Sequence, residues 1–162
     1  MKNLIASFIL LFTLNVSASE IVGQVIKVTD GDTITVLDAN NDQYKVRLSG
    51  IDAPEKKQAF GNVSKQSLAE MVAGQVVTVD YNKRDRYGRV VGKVMLNAID
   101  VNLEQVKRGL AWHYKKYERE QDVEERSIYA QEEYLAQRGI LGLWVDKNAV
   151  APWDFRKLNK AK

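Results

Sequence analysis

The chain has 162 residues, 28% charged and 45% hydrophobic, with a formal net charge of +3. That length suits one domain whose core stands without staples, and the absence of cysteine excludes disulfides, thiol catalysis and zinc–thiolate sites. The net charge is too small to imply a polyanionic partner by itself, so any such inference rests on where the bases sit.

The first residues carry an early Lys2, an apolar run from Leu4 to Leu14 and the small-residue sequence Val16-Ser17-Ala18. The run is shorter than the roughly 20 residues that span a bilayer. Its pattern is that of a secretory signal peptide cleaved after Ala18. An exported protein, periplasmic or secreted, is expected, with no membrane association once residues 1–18 are removed. The remainder divides into a domain over 19–146 and a basic C-terminal tail over 147–162.

Ile21–Thr29 reads as a strand. Ile34 and Val36 alternate with Thr33 and Thr35, and Tyr44, Val46 and Leu48 alternate with Lys45, Arg47 and Ser49, which predicts two half-buried strands. The turn residues Asp38-Ala39-Asn40-Asn41-Asp42 join them. The alternation sets Arg47 on the face opposite Val46 and Leu48, open to a ligand. A helix is predicted from about Ser64 to Ala73, with Leu68, Met71 and Val72 on one face and Gly74 ending it. Strands at Val77–Tyr81 and Val90–Leu96 follow, joined by the charged hairpin Asn82–Gly88. A second helix takes Asn102 as its N-cap, with Gln105 three residues on, Val101 and Val106 placed as a staple, and Gly109 closing it. A third runs from about Asp122 to Arg138, with Val123, Ser127, Ala130 and Tyr134 as its narrower stripe and Gly139 stopping it. The tail is expected to be ordered through Trp153 and frayed beyond it.

The first three strands lie too close together for crossover helices, which need a dozen or more residues. The expected class is therefore α+β, mainly β: a five-stranded OB-type Greek-key barrel with three helices.

Three segments concentrate the chemistry: Asp30-Gly31-Asp32-Thr33, Val46-Arg47-Leu48-Ser49-Gly50-Ile51-Asp52-Ala53-Pro54-Glu55, and Asp85-Arg86-Tyr87-Gly88-Arg89. Hard carboxylate oxygens suit Ca²⁺ or Mg²⁺, a further carboxylate can activate water, and two guanidinium forks can clamp a phosphate. Together they read as a metal-assisted phosphodiester-cleaving site. Pro54 fixes a bend that can aim Asp52 and Glu55 at one point. Asp30 either reaches a metal through water or shapes the Asp-Gly turn. His113, between Trp112 and Tyr114, reads as structural or as part of the substrate rim, since this chemistry needs no imidazole. Lys56-Lys57, Lys83-Arg84 and Lys115-Lys116 are expected beside the site, where phosphate contacts add affinity and steer substrate.

In this order and spacing the motifs resemble those of the staphylococcal-nuclease-like (thermonuclease) family, from about Ile21 to Trp144. Asn102-Leu103…Gly109-Leu110-Ala111 and Glu133-x-x-Ala136…Gly142-Leu143-Trp144 are similar to its helical signatures. The resemblance implies that residues 19–146 form an OB-barrel nuclease domain that hydrolyses DNA and RNA with Ca²⁺, leaving 3′-phosphorylated products. It implies Asp32, Asp52 and the main-chain carbonyl of Ala53 as metal ligands, and Glu55 as the residue that orients or deprotonates water. Arg47 and Arg89 would bind the scissile phosphate, with Arg86 and Tyr87 on the neighbouring phosphate and sugar. Tyr114 and Tyr117 are offset from the family's paired tyrosines, and one or other is expected against a base. Ala53 stands where the best-known members have threonine, a harmless change if the ligand is a main-chain oxygen. The Lys56–Phe60 segment is shorter than the corresponding loop of thermonuclease. DNA and RNA are the expected partners and a monomer the expected state. The alternative is a noncatalytic OB-type nucleic-acid-binding module, which has no need of Asp32, Asp52, Glu55 and both arginines together.

Overall fold

The computed structural model describes residues 19–160, so the predicted signal peptide lies outside the described residues. Strands β1 (Ser19–Asp30), β2 (Thr33–Asp38) and β3 (Gln43–Leu48) form an antiparallel meander. A two-residue strand β4 (Ile51–Asp52) and helix α1 (Gly61–Val72) follow, then the hairpin of β5 (Val76–Arg84) and β6 (Val90–Leu96). β5 pairs antiparallel with β1, and the parallel pairing of Val46 with Val90 and Leu48 with Gly92 joins β3 to β6. That last pairing closes a five-stranded barrel of β1, β2, β3, β6 and β5, and closure removes the open sheet edges. Alternate residues point inward. Val25, Ile34, Val36, Val46, Leu48, Val77, Val79, Val90 and Val94 are all buried, each worth roughly 1.5–3 kcal/mol of transfer free energy.

The rest of the chain covers this barrel: β7 (Ile99–Asp100), helix α2 (Val101–Lys107), β8 (Trp112–His113), helix α3 (Val123–Arg138) and helix α4 (Pro152–Lys160). Helix α1 starts a turn earlier than the pattern suggests, because Ser64 lies inside it and donates its hydroxyl to the Leu110 carbonyl at 2.7 Å. Asp100, not Asn102, caps α2, accepting the Leu103 amide at 3.0 Å. Asn102 is buried and ties strands together instead. Its Oδ1 accepts from the Val94 amide, and its Nδ2 donates to the Ser49 and Gly92 carbonyls.

Helix α3 spans the predicted range, with Asp122 capping it by accepting the Glu125 amide, but it buries the other face. Tyr129, Glu133 and Ala136 are buried, whereas Val123, Ser127, Ala130 and Tyr134 are exposed. Hydrogen bonds decide this orientation: Glu133 accepts from the His113 amide at 3.0 Å and pairs with Lys115, and the Tyr129 hydroxyl donates to Asp100 at 2.9 Å. A buried carboxylate must be partnered, and hydropathy alone does not reveal the partner. The tail also departs from expectation. It continues past Trp153 as a fourth helix, opened by Pro152 at its first position, where a missing N–H costs nothing.

Candidate active site

The Asp30-Gly31-Asp32 turn between β1 and β2 is fixed from below. Gln105 Nε2, on buried α2, donates to the Gly31 carbonyl at 2.9 Å and to the Ser64 carbonyl at 3.0 Å. A side chain at Gly31 would collide with Ser64 Oγ and Ala53 Cβ, so only glycine lets the turn approach this closely. Asp30 Oδ1 accepts the Asp32 amide at 3.1 Å, the Asx-turn geometry of a residue that shapes the turn. Asp32 is thereby held inward, its Oδ2 accepting from the Ala53 amide at 2.7 Å.

Asp52 comes from the opposite side. β4 pairs with β8, Asp52 opposite Trp112 and Ile51 opposite His113, and Asp52 is 1% exposed. Arg47, held in β3 between Thr33 of β2 and Val91 of β6, reaches both carboxylates. Its Nη1 stands 3.0 Å from Asp32 Oδ2 and its Nη2 2.7 Å from Asp52 Oδ1, while Nη1 also donates to the Leu48 carbonyl. Burial pushes the Asp32 carboxyl up to about 7; Arg47 opposes the shift, and Asp30 and Asp52 add to it. The shift is chiefly the cost of burying the charged form.

These groups form the floor of an open cleft of about 780 Å³ that also takes in Glu55, Arg86, Tyr87, Arg89, Tyr114 and Tyr117. All ten sequence-predicted site residues thus border one cleft, counting Asp32, Arg47, Asp52 and Ala53. Arg89 stands on the β5–β6 hairpin, locked by Asp85, whose Oδ2 takes Arg89 Nε at 2.7 Å and whose Oδ1 takes the amides of Tyr87 and Arg89. Burial works against ionisation of Asp85, but the Arg89 side chain and these two amides outweigh it and hold its carboxyl below the usual range. Gly88, at φ +76°, supplies the left-handed residue that turns the hairpin. Tyr87 is 69% exposed and lies beneath the guanidinium groups of Arg86 and Arg89.

The basic pairs divide. Lys83 and Lys116 border the cleft, whereas Arg84 turns to the Gly88 carbonyl and the Tyr44 ring and Lys115 pairs with Glu133. Lys56 and Lys57 are exposed outside the cleft. His113 is fully buried, its Nε2 2.9 Å from Gln121 Oε1, a structural setting.

A sequence profile described as Staphylococcal nuclease homologue matches residues 45–146. The chain belongs to the staphylococcal nuclease family. A Haemophilus influenzae protein named as an uncharacterized endonuclease is 40% identical over 98% of this chain and 87% of its own. An Escherichia coli protein of the same description is 39% identical over 96% of this chain and 98% of its own. A Shigella flexneri protein named micrococcal nuclease is 40% identical over 85% of this chain and 82% of its own. The protein is a nuclease of this family, and the noncatalytic module is set aside.

One wall of the cleft carries none of the sequence-predicted site residues. Trp153, Arg156, Lys157 and Lys160 of α4 all border it, beyond the profile's last matched residue. Their spacing of three and four places them on one helical face, a signal present in the sequence once the tail is read as a helix. Trp153 stacks on Tyr114 with ring centroids 5.3 Å apart and planes at 11°, and Tyr114 meets Tyr117 edge-on.

Proposed function

We propose that the protein is an exported, Ca²⁺-dependent, sugar-nonspecific endonuclease that hydrolyses DNA and RNA to 3′-phosphorylated products. The observation that carries this reading is the single Arg47 guanidinium bridging the buried Asp32 and Asp52 carboxylates on the floor of a cleft walled by Arg89. Two carboxylates close enough to share one guanidinium are close enough to share one cation, and hard oxygens are the donors calcium takes. Among the described residues no group of three or more His, Asp or Glu side chains is gathered as a metal cage. As the family resemblance implies, Asp32, Asp52 and the main-chain carbonyl of Ala53 would hold the ion, with water and phosphate completing its shell. The bound ion would supply Lewis-acid charge at the phosphoryl group.

The chain's own residues account for the remaining steps. Arg47 has Nε and one N–H of Nη2 uncommitted among the contacts described, which leaves donors for a phosphate oxygen. Arg89, its fork oriented by Asp85, stabilises charge that builds on the phosphoryl and leaving oxygens. Glu55 orients the attacking water and takes its proton. The water oxygen bonds to phosphorus, the bond to the 5′-oxygen breaks, and the phosphate stays on the 3′ side. Tyr87, Tyr114 and Tyr117 offer rings for sugar or base, while Arg86, Lys83 and Lys116 add phosphate contacts that are blind to sequence.

Export rests on the charge, apolar run and small residues of the first 18 positions, and among the described residues no helix is long and apolar enough to cross a membrane. Mass spectrometry of the exported protein should find Ser19 at its N-terminus. The activity is tested by digesting supercoiled DNA and RNA in Ca²⁺, Mg²⁺ or chelator, with end-labelling of the products. Cleavage of both substrates, best in Ca²⁺ and absent in chelator, with 3′-phosphate ends, is expected. Undiminished cutting in chelator would contradict the reading.

A further inference from the structure

Arg156 is the one α4 side chain that reaches the carboxylates. Its Nη2 donates to Asp52 Oδ2 at 2.8 Å, and its Nη1 to Asp52 Oδ1 at 3.2 Å and Glu55 Oε1 at 2.8 Å. Both oxygens of Asp52 are thus engaged by guanidinium groups, Oδ1 by Arg47 and Arg156 together and Oδ2 by Arg156. The contact is not an accident of a loose tail. Trp153 stacks on Tyr114 and meets Trp112 edge-on at 5.7 Å, Pro152 and Ala151 are buried, and the Val150 carbonyl accepts from Gln58 Nε2. The start of α4 is anchored, and the next turn of helix carries Arg156 to the carboxylates.

We propose that Arg156 is an internal counter-cation, which occupies Asp52 and Glu55 in the metal-free enzyme and is exchanged for the divalent ion when that ion binds. The proposal rests on the divalent-cation reading of Asp32 and Asp52 given above. Lone pairs that accept from a guanidinium are the ones a metal must take, and a positive fork beside a doubly charged ion is repelled. Arg156 is 38% exposed in its side chain whereas Asp52 is 1% exposed, so Arg156 can swing out to water only when another cation compensates the buried carboxylate, which is what a divalent ion supplies. The arrangement spares the enzyme an uncompensated carboxylate cluster before the ion arrives, and the ion must displace Arg156 before Glu55 is released to water.

Calorimetric titration with Ca²⁺ alone, in the absence of nucleic acid, compares the wild type with Arg156→Ala, Arg156→Lys and Lys160→Ala. Lys160 shares the cleft wall but no carboxylate contact with Asp52 or Glu55 is described for it. The exchange predicts that Arg156→Ala binds Ca²⁺ about tenfold more tightly than the wild type, that Arg156→Lys falls between them, and that Lys160→Ala stays near the wild type. Equal affinity for wild type and Arg156→Ala overturns the exchange while leaving the cation site standing. Equal tightening by Lys160→Ala also overturns it, since removal of any nearby charge would then suffice. Absence of Ca²⁺ binding in all four proteins overturns the cation reading and the exchange together.

Discussion

Asp52 and Arg89 face the same cleft but are held there in opposite ways. Asp52 is fixed by main-chain pairing to β8, is 1% exposed, and meets its partners through the buried floor of the barrel. Arg89 stands on the tip of a two-stranded hairpin, a quarter exposed in its side chain, and depends on the single Asp85 carboxylate for its aim. The floor is therefore part of the fold, and the wall is attached to it. Substitutions in the floor should change stability and chemistry together, whereas substitutions in the wall should change kinetics and leave the fold nearly as it was.

The sharpest test of that division uses Glu55→Gln and Arg89→Lys. On the proposed mechanism each removes a group that acts in the transition state, and general-base loss costs about 10²–10⁴-fold. An ammonium cannot reproduce the planar fork, so Arg89→Lys should approach the same loss. Both should lower kcat far more than they raise KM, with circular dichroism unchanged; a near-normal kcat in either removes that residue from the chemistry.

The floor makes the opposite forecast. Because the folded-state carboxyl of Asp32 titrates near 7, above its unfolded value of about 3.9, the folded metal-free protein binds more protons than the unfolded chain between those values. Stability contributed by this group therefore falls as pH rises from about 4 to about 7 and is level above that. Asp32→Asn should match the wild type near pH 4 and exceed it above pH 7, by up to about 4 kcal/mol, while losing activity. Melting curves across that range check it. An Asn variant that is less stable at pH 8 than the wild type would show that the Arg47 contact outweighs burial.

Smaller effects belong to the wall. Asp85→Asn removes the anchor of Arg89 and should lower kcat about tenfold or less, with stability changed by about 1 kcal/mol. Tyr87→Ala, at an exposed ring, should raise KM a few-fold and leave kcat alone, consistent with stacking worth about 1–3 kcal/mol per base. Steady-state kinetics separates the two, and a kcat defect in Tyr87→Ala would move that ring from binding to chemistry.

The same division explains what the sequence disclosed. The barrel strands are readable from local signals, period-two alternation and turn residues, whereas the meeting of Asp32, Arg47, Asp52, Glu55 and Arg89 on one cleft is legible only through the order and spacing of the three motifs and the family they resemble. The α2 cap was misassigned by two residues because Asp100 and Asn102 are both good caps, and only the tertiary contacts of Asn102 decide between them. The buried face of α3 was missed because it is anchored through Glu133 and Tyr129, polar groups whose partners lie on other elements. Arg156 was missed for the same reason. Its partners are more than a hundred residues away in sequence, and nothing in the tail's composition singles out Arg156 from its neighbouring lysines.

On the proposed function, the Asp32–Asp52 floor makes cleavage depend on a bound divalent cation. Plasmid nicking by the wild type and Asp52→Asn, titrated with Ca²⁺ from a chelator baseline, tests it most directly. The account predicts no nicking in chelator, a saturable rise with Ca²⁺ for the wild type, and little or none for Asp52→Asn at the same concentrations. Wild-type nicking that is indifferent to chelator, or an Asp52→Asn titration that overlays the wild type, would contradict it.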